Sequence, residues 1–291
     1  MITLKYRGGT GNRFFVYCLG RILAERFGYA LRCKKIEGFS NTIPIEGAKH
    51  TENPIRIDYH NIDATISDIE NNKHHQMVIW YSMQYYRLYK NHKEKIRQWL
   101  KPDLQINDVS SLDFRVKNNN VFEKISIDKI NNGDIIIIQR LNDFIDLRLD
   151  LKFNYFDKIL KNIKFNRIFI ISDEIESEMF NGFAEYKPIY LFGNAFTHYS
   201  FASLFNRMII SQSTYSWWIA WLSNASEIYL PFTAGGSWSE RWLKRRKVNL
   251  IVDDENRYNY VREMAYESDY FFEKSENILK LAKEKNEEEN L

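Results

Sequence analysis

Residues 213–222 read Ser213-Thr214-Tyr215-Ser216-Trp217-Trp218-Ile219-Ala220-Trp221-Leu222, a run of hydroxyl side chains set directly before tryptophans. Hydroxyls and backbone N–H groups gathered where a helix begins aim several donors at one spot, at the positive end of the helix dipole, and such a spot suits a phosphate. A Ser/Thr cap on an aromatic core helix explains the same residues, and the segment alone leaves both readings open. Two other segments bring charge to the ends of apolar runs. Asp134-Ile135-Ile136-Ile137-Ile138-Gln139 leads into Arg140-Leu141-Asn142-Asp143, and Arg167-Ile168-Phe169-Ile170-Ile171 leads into Ser172-Asp173-Glu174. A guanidinium binds two phosphate oxygens through its planar fork and stays charged. Taken singly, Arg140 with Asp143 is an ion pair and Ser172-Asp173 is a helix cap. Their recurrence, with Ser213, Thr214 and Ser216, at the ends of successive strands favours a crevice that holds a nucleotide diphosphate.

A fourth candidate opens the chain. Gly8-Gly9-Thr10-Gly11-Asn12-Arg13 follows the strand-like Ile2–Tyr6 and precedes a helical pattern from about Arg13 to Phe27, stopped at Gly28. Gly9, Gly11, Asn12 and Arg13 are the candidates there for binding the same nucleotide-bearing donor. The turn is neither a dinucleotide fingerprint nor a P-loop, and tight packing accounts for its glycines equally well.

The elements that must position these groups follow from hydropathy. Short β-branched runs alternate with helical patterns, which predicts an α/β protein built on parallel sheets. The uninterrupted Ile135–Ile138 run reads as a strand buried on both faces, and Met208-Ile209-Ile210 as the strand that delivers the hydroxyl turn. Gln84–Leu100 has helical spacing, and the polar Asn107–Asn120 stretch marks a boundary. Two lobes are expected, 1–120 and 121–291. After Met264 a helical pattern holds Phe271, Phe272, Ile278 and Leu281, suited to docking on the first lobe, before the acidic Glu287-Glu288-Glu289 end.

Composition excludes several classes. The 41 basic and 38 acidic residues give a formal charge of +3 over 291 residues, too balanced for nucleic-acid binding by bulk electrostatics. The basic run Arg241–Lys247 reads as a solvated surface, with an anionic membrane face or a phosphate-bearing acceptor as its functional reading. Cys18 and Cys33 are too few for a disulfide framework, and no apolar segment has the length of a membrane span or the form of a signal peptide. A cytoplasmic protein is expected, any membrane contact being peripheral and on the inner face. His74-His75 lacks ligand partners at zinc spacing, so no protein-bound metal is expected.

Gly8-Gly9-Thr10-Gly11-Asn12 with Phe14, Tyr17, Gly20 and Leu23-Ala24, then Tyr81-Ser82-Met83-Gln84-Tyr85-Tyr86, Arg140-x-x-Asp143, Ser172-Asp173, the 213–222 segment, and Pro231 followed by Trp238 resemble the α-1,2-fucosyltransferases of glycosyltransferase family 11. The resemblance runs over most of the chain. It implies a GT-B-like architecture of two Rossmann-type lobes around a cleft, and inverting transfer of L-fucose from GDP-β-L-fucose, as co-substrate and without a metal, to the 2-hydroxyl of a sugar, often galactose, in a glycan or lipid-linked oligosaccharide. By the same resemblance Arg140 takes the position of the first arginine in a His-x-Arg-Arg-x-Asp motif and grips the pyrophosphate. Arg140 and the hydroxyl turn then stabilise charge on the departing GDP, the task a magnesium ion performs in other transferases. Asp173 is the acceptor for guanine or ribose, and Asp143 is either a base or the group that orients Arg140.

The chain departs from that family's pattern at several positions: Ile138 replaces histidine, Leu141 the second arginine, Asn142 a glycine, Arg13 a glutamine and Ile219 a glycine. Arg13 is the cation the sequence offers in place of the one lost at Leu141. The same fold with another nucleotide-sugar donor, and a non-catalytic relative that binds a nucleotide or glycan, are the other two readings.

Overall fold

The computed structural model describes residues 1–47, 54–71, 76–146, 150–232, 249–252, 254–263 and 270–272. The expectations placed on His74-His75, the 241–247 basic run, Trp238, Ile278, Leu281 and the acidic end lie outside those residues. Two compact units make up the chain: Met1–Asp103 with Lys247–Leu250, and Leu104–Arg246 with Ile251–Leu291. Both are α/β units built on sheets rich in parallel strands.

In the first unit, β1 (Ile2–Leu4), β2 (Leu31–Arg32), β3 (Ile55–Ile57) and β4 (Met77–Ile79) form an all-parallel sheet in the order β2-β1-β4-β3. The helices are α1 (Thr10–Phe27), α2 (Ile62–Glu70) and α3 (Lys93–Trp99). Helix α1 begins at Thr10, earlier than expected, and so takes in Gly11, Asn12 and Arg13. The turn itself is carried by Gly8, whose φ of 73° is a left-handed conformation that side chains other than glycine rarely adopt. Gly20 has a different reason: a Cβ there would fall 2.5 Å from Leu4 Cδ2, so its bareness lets α1 lie close on β1. The expected Gln84–Leu100 helix is broken into 3₁₀ turns at Tyr86–Leu88 and Lys90–His92 ahead of α3. Asn249 returns to this unit as a backbone partner, its N–H donating to the Gln84 carbonyl at 2.8 Å and its carbonyl accepting from the Tyr86 N–H at 2.7 Å.

The second unit holds a nine-stranded sheet in the order β13-β12-β11-β10-β7-β8-β9-β5-β6. Its strands are β5 (Asp113–Asn118), β6 (Val121–Ile125), β7 (Ile135–Gln139), β8 (Ile168–Ser172), β9 (Ile189–Phe192), β10 (Arg207–Ile210), β11 (Glu227–Phe232), β12 (Tyr258–Glu263) and β13 (Tyr270–Phe272). The six from β12 to β9 are parallel; β13, β5 and β6 join antiparallel at the edges. Its helices among the described residues are α4 (Asn142–Asp146), α5 (Phe153–Leu160), α6 (Ala195–Ala202) and α7 (Thr214–Leu222). Every residue of β7 and β8 is buried, as parallel strands covered on both faces require. Ile135, Ile137, Ile168 and Ile170 pack with Tyr155, Phe156 and Phe183 in one cluster. Phe169 contacts the rings of Phe114, Phe201 and Phe205 in another.

Residues 104–120, expected in the first lobe, belong to this second unit. The physical reason is the strand β5, which pairs with β9 from Asp113↔Phe192 to Val116↔Ile189. The asparagine-rich stretch read as a boundary is a hairpin turn: Asn119 and Asn120 have φ of 46° and 65°, and asparagine tolerates that region better than most residues. Phe271 and Phe272, read as part of a terminal helix, lie in β13 and pair with Arg262 and Val261. No described helix is long and apolar enough to cross a membrane.

Candidate functional site

Strand order decides where a ligand could enter the second unit. From β7 the chain moves one way to β8 and β9, then returns to place β10 on the opposite side of β7. The β7/β10 boundary is therefore a switch point, and crevices at the carboxyl ends of such strands are where open α/β sheets bind ligands. Register fixes what meets there. Ile138 lies opposite Ile210, and Gln139 opposite Ser172. Beyond these pairs come Arg140, Ser211 and Asp173, one from each strand end.

They are bonded to one another. The Ser211 N–H donates to the Ile138 carbonyl at 2.9 Å, and the Arg140 N–H donates to Ser211 Oγ at 3.2 Å. Asp173 Oδ1 accepts from the Leu141 N–H at 2.8 Å, while its Oδ2 lies 3.0 Å from Arg140 Nε. Asp143 Oδ1 accepts from Arg140 Nε at 3.1 Å and Nη2 at 2.9 Å. One edge of the guanidinium thus faces two carboxylates, and Nη1 has no partner among the described residues. The carboxylates differ in how firmly they are held. Asp173 is fixed to a backbone amide and its side chain is 23% exposed; Asp143 stands on the short α4 with its side chain 57% exposed. Both Asp173 oxygens being engaged, its expected contact with guanine or ribose would use the remaining lone pairs.

The hydroxyl turn divides into structural and open groups. Ser213 caps α7, its Oγ accepting from the Tyr215 N–H at 3.2 Å, and the Trp217 N–H begins the helix ladder at the Ser213 carbonyl, 2.9 Å away. Ser216 is buried with its Oγ 3.3 Å from Ser211 Oγ, so it supports the residue that supports Arg140. Ser172 is likewise local, accepting from the Glu174 N–H at 3.1 Å. Thr214 is half-buried, and its N–H and hydroxyl have no partner among the described residues. Behind the turn Trp217 stacks on Trp221 with centroids 5.2 Å apart, which anchors the helix. The cap reading therefore describes Ser213 and Ser172, and Thr214 remains as the group able to donate to a ligand.

Sequence reasoning missed three residues here. Ser211 lies two positions before the segment singled out, and only the parallel register shows that it meets Arg140. Gln139 is buried, its Nε2 reaching the Leu151 carbonyl at 3.2 Å and its Oε1 unpartnered. His198 on α6 is buried with Nε2 3.3 Å from the Leu191 carbonyl; burial pushes its pKa down to about 4, with that carbonyl and the Asp173 charge pulling the other way. None of the three belongs to a motif.

The first unit has a switch point of its own, at β1/β4, since β2 lies on the other side of β1. Gly8 and Gly9 follow β1, and Gly9 is the extended N-cap of α1 with no side-chain cap. A Cβ at Gly9 would meet nothing within 4 Å, whereas one at Gly8 would fall 2.7 Å from Asn12 Nδ2. Gly11 is buried, and Asn12 Oδ1 lies 3.5 Å from Gln84 Nε2, which also donates to Ser82 Oγ at 3.2 Å. Arg13 is exposed, its Nε donating to the Gly8 carbonyl at 3.1 Å. Glycines and Asn12 therefore shape an open helix start within this unit.

Among the described residues no three His, Cys, Asp or Glu side chains cluster as metal ligands would. Comparison with family models, curated proteins and solved structures gave no match for this chain.

Proposed function

We propose that the chain is a glycosyltransferase that draws on a nucleotide sugar, with the donor diphosphate at the β7/β10 switch point of the second unit. The observation that carries this reading is the bond between Arg140 and Ser211 at the ends of two adjacent parallel strands, one of which leads into the helix that begins at Thr214. In this reading the two units are the Rossmann-type lobes of a GT-B-like enzyme, and the preferred reaction is inverting transfer of L-fucose from GDP-β-L-fucose to a sugar 2-hydroxyl. Arg140 Nη1, the Thr214 N–H and the positive end of α7 would take up the charge that grows on GDP as the glycosidic bond breaks. Asp143 serves as the orienting partner of Arg140, because its bonds run to the guanidinium.

One arrangement favours a second reading, a binding protein without turnover: two carboxylates face one guanidinium, leaving the trio with a net negative charge. A thermal-shift panel with GDP, UDP, CDP and dTDP sugars separates the readings, since a ligand at a hundred times its dissociation constant stabilises by about 2.7 kcal/mol. A selective response to GDP-fucose with release of GDP supports transfer; a response to GDP without turnover on any glycan supports the binding protein. Response to a different sugar nucleotide moves the donor assignment, and no response to any of them refutes the site.

A further inference from the structure

A cluster in the first unit has no role in the chemistry described so far. Arg7 follows β1, Arg56 lies in β3 and Trp80 follows β4, so the cluster stands at the carboxyl edge of the sheet, beside the β1/β4 switch point. Arg56 is the register partner of Val78, and Trp80, two positions on, keeps the same side by strand alternation. The Arg7 guanidinium lies over the Trp80 ring at 4.3 Å and that of Arg56 at 5.1 Å. Both arginines are exposed, and neither has a carboxylate partner among the described residues. Of the carboxylates that follow Arg56 in sequence, Asp58 accepts from the His60 N–H at 2.8 Å through Oδ1, and Asp63 is paired with Arg87 at 2.8 Å.

More rings extend the surface. Trp80 and Tyr81 have centroids 5.0 Å apart at 66°, and Tyr81 and Tyr59 6.0 Å apart at 59°. Tyr81 is 41% exposed, a large ring left in water at the end of a strand. Tilted rings of this kind form a shallow corner, which suits the puckered, partly apolar face of a sugar better than a flat base. Two guanidiniums beside one indole, neither paired with a carboxylate among the described residues, keep N–H donors for an anion.

We propose that this corner binds an acidic saccharide, its ring against Tyr81 and Tyr59 and its carboxylate or phosphate on Arg7 and Arg56. The inference names an acceptor class for the proposed transferase and rests on that reading for the acceptor role, though not for the binding itself.

The test uses the full chain without donor, titrated calorimetrically with a galacturonate trisaccharide against the matching neutral galactose trisaccharide, and with galactose 6-phosphate against galactose. Each acidic ligand that gains from a charge-assisted bond should bind about tenfold tighter than its neutral counterpart. A gain with the uronate identifies a carboxylate as the group recognised, and a gain with the sugar phosphate alone identifies a phosphate. Arg7→Gln and Arg56→Gln should each reduce the preference for acid, Arg7→Lys should retain part of it, and Tyr81→Ala should weaken acidic and neutral sugars alike. An unchanged circular-dichroism melting curve shows that each variant is folded. Equal binding of acidic and neutral sugars, no binding of either, or a preference that survives both glutamine variants overturns the proposal. Failure of fucosyl transfer leaves it standing, whereas transfer to neutral acceptors with no preference for acid removes this inference alone.

Discussion

The backbone N–H of Arg140 donates to Ser211 Oγ at 3.2 Å, tying the residue after β7 to the residue after β10 across the switch point. Ser211 is almost fully buried, so its hydroxyl has no water to fall back on. Ser211→Ala leaves that N–H without its partner at a cost of about 1–3 kcal/mol. A lower urea midpoint with an unchanged slope is the expected result; an unchanged midpoint would show that the two strand ends are not energetically joined.

Asp143 and Asp173 should respond differently to removal. Asp143→Asn takes away the more exposed carboxylate and frees guanidinium donors, so GDP should bind several-fold tighter by calorimetry with little change in melting temperature. Asp173→Ala removes the acceptor of the Leu141 N–H as well and should lower stability by about 1–3 kcal/mol while loosening the hold on Arg140. Weaker GDP binding in Asp143→Asn would instead make Asp143 part of the ligand site.

His198 predicts a pH dependence with a definite sign. Its ordinary pKa of 6.5 is lowered to about 4 in the folded protein, chiefly by burial, so the unfolded chain binds the proton more readily. Its contribution is complete above the unfolded value of 6.5 and is lost as pH falls toward about 4. Each tenfold change in proton affinity is worth about 1.4 kcal/mol, giving a loss on the order of 3 kcal/mol across that window. Denaturation curves from pH 7 to 4 should flatten in His198→Gln, which keeps a donor for the Leu191 carbonyl and removes the titration.

Gly20→Ala tests the contact between α1 and β1. The added methyl would meet Leu4 Cδ2 at 2.5 Å and Leu31 Cδ1 at 3.2 Å. Overpacking of about 1–3 kcal/mol should outweigh the gain in helix propensity of about 1 kcal/mol. A raised melting temperature would mean that the two leucines move aside without strain.

Much of the second unit was legible because its signals are local. The isoleucine run of β7, the Arg167–Ile171 run and Met208–Ile210 all became strands, and their burial on both faces follows from composition alone. What sequence did not show was order in the sheet. Nothing in the neighbourhood of Ser211 says that β10 returns to the far side of β7, yet that return brings it to Arg140. Asn118-Asn119-Asn120 misled for the opposite reason: a polar cluster reads as a linker, and only the positive φ angles of Asn119 and Asn120 identify a hairpin. Arg140, Asp143 and Asp173 stand out in the sequence by type, whereas the pairing of one arginine with two carboxylates is a matter of distance that spacing does not encode.

The return of Asn249 to pair with Gln84 and Tyr86 makes the first unit discontinuous in the gene. Expressed as residues 1–103, it would lose a strand-like partner from a segment that includes the buried Tyr86, and the shortest stretch of polypeptide encoding all of it must also encode residues 104–246 of the second. Dissection of this protein by truncation therefore has no clean cut to make, and swapping either half between chains would have to carry two separate pieces.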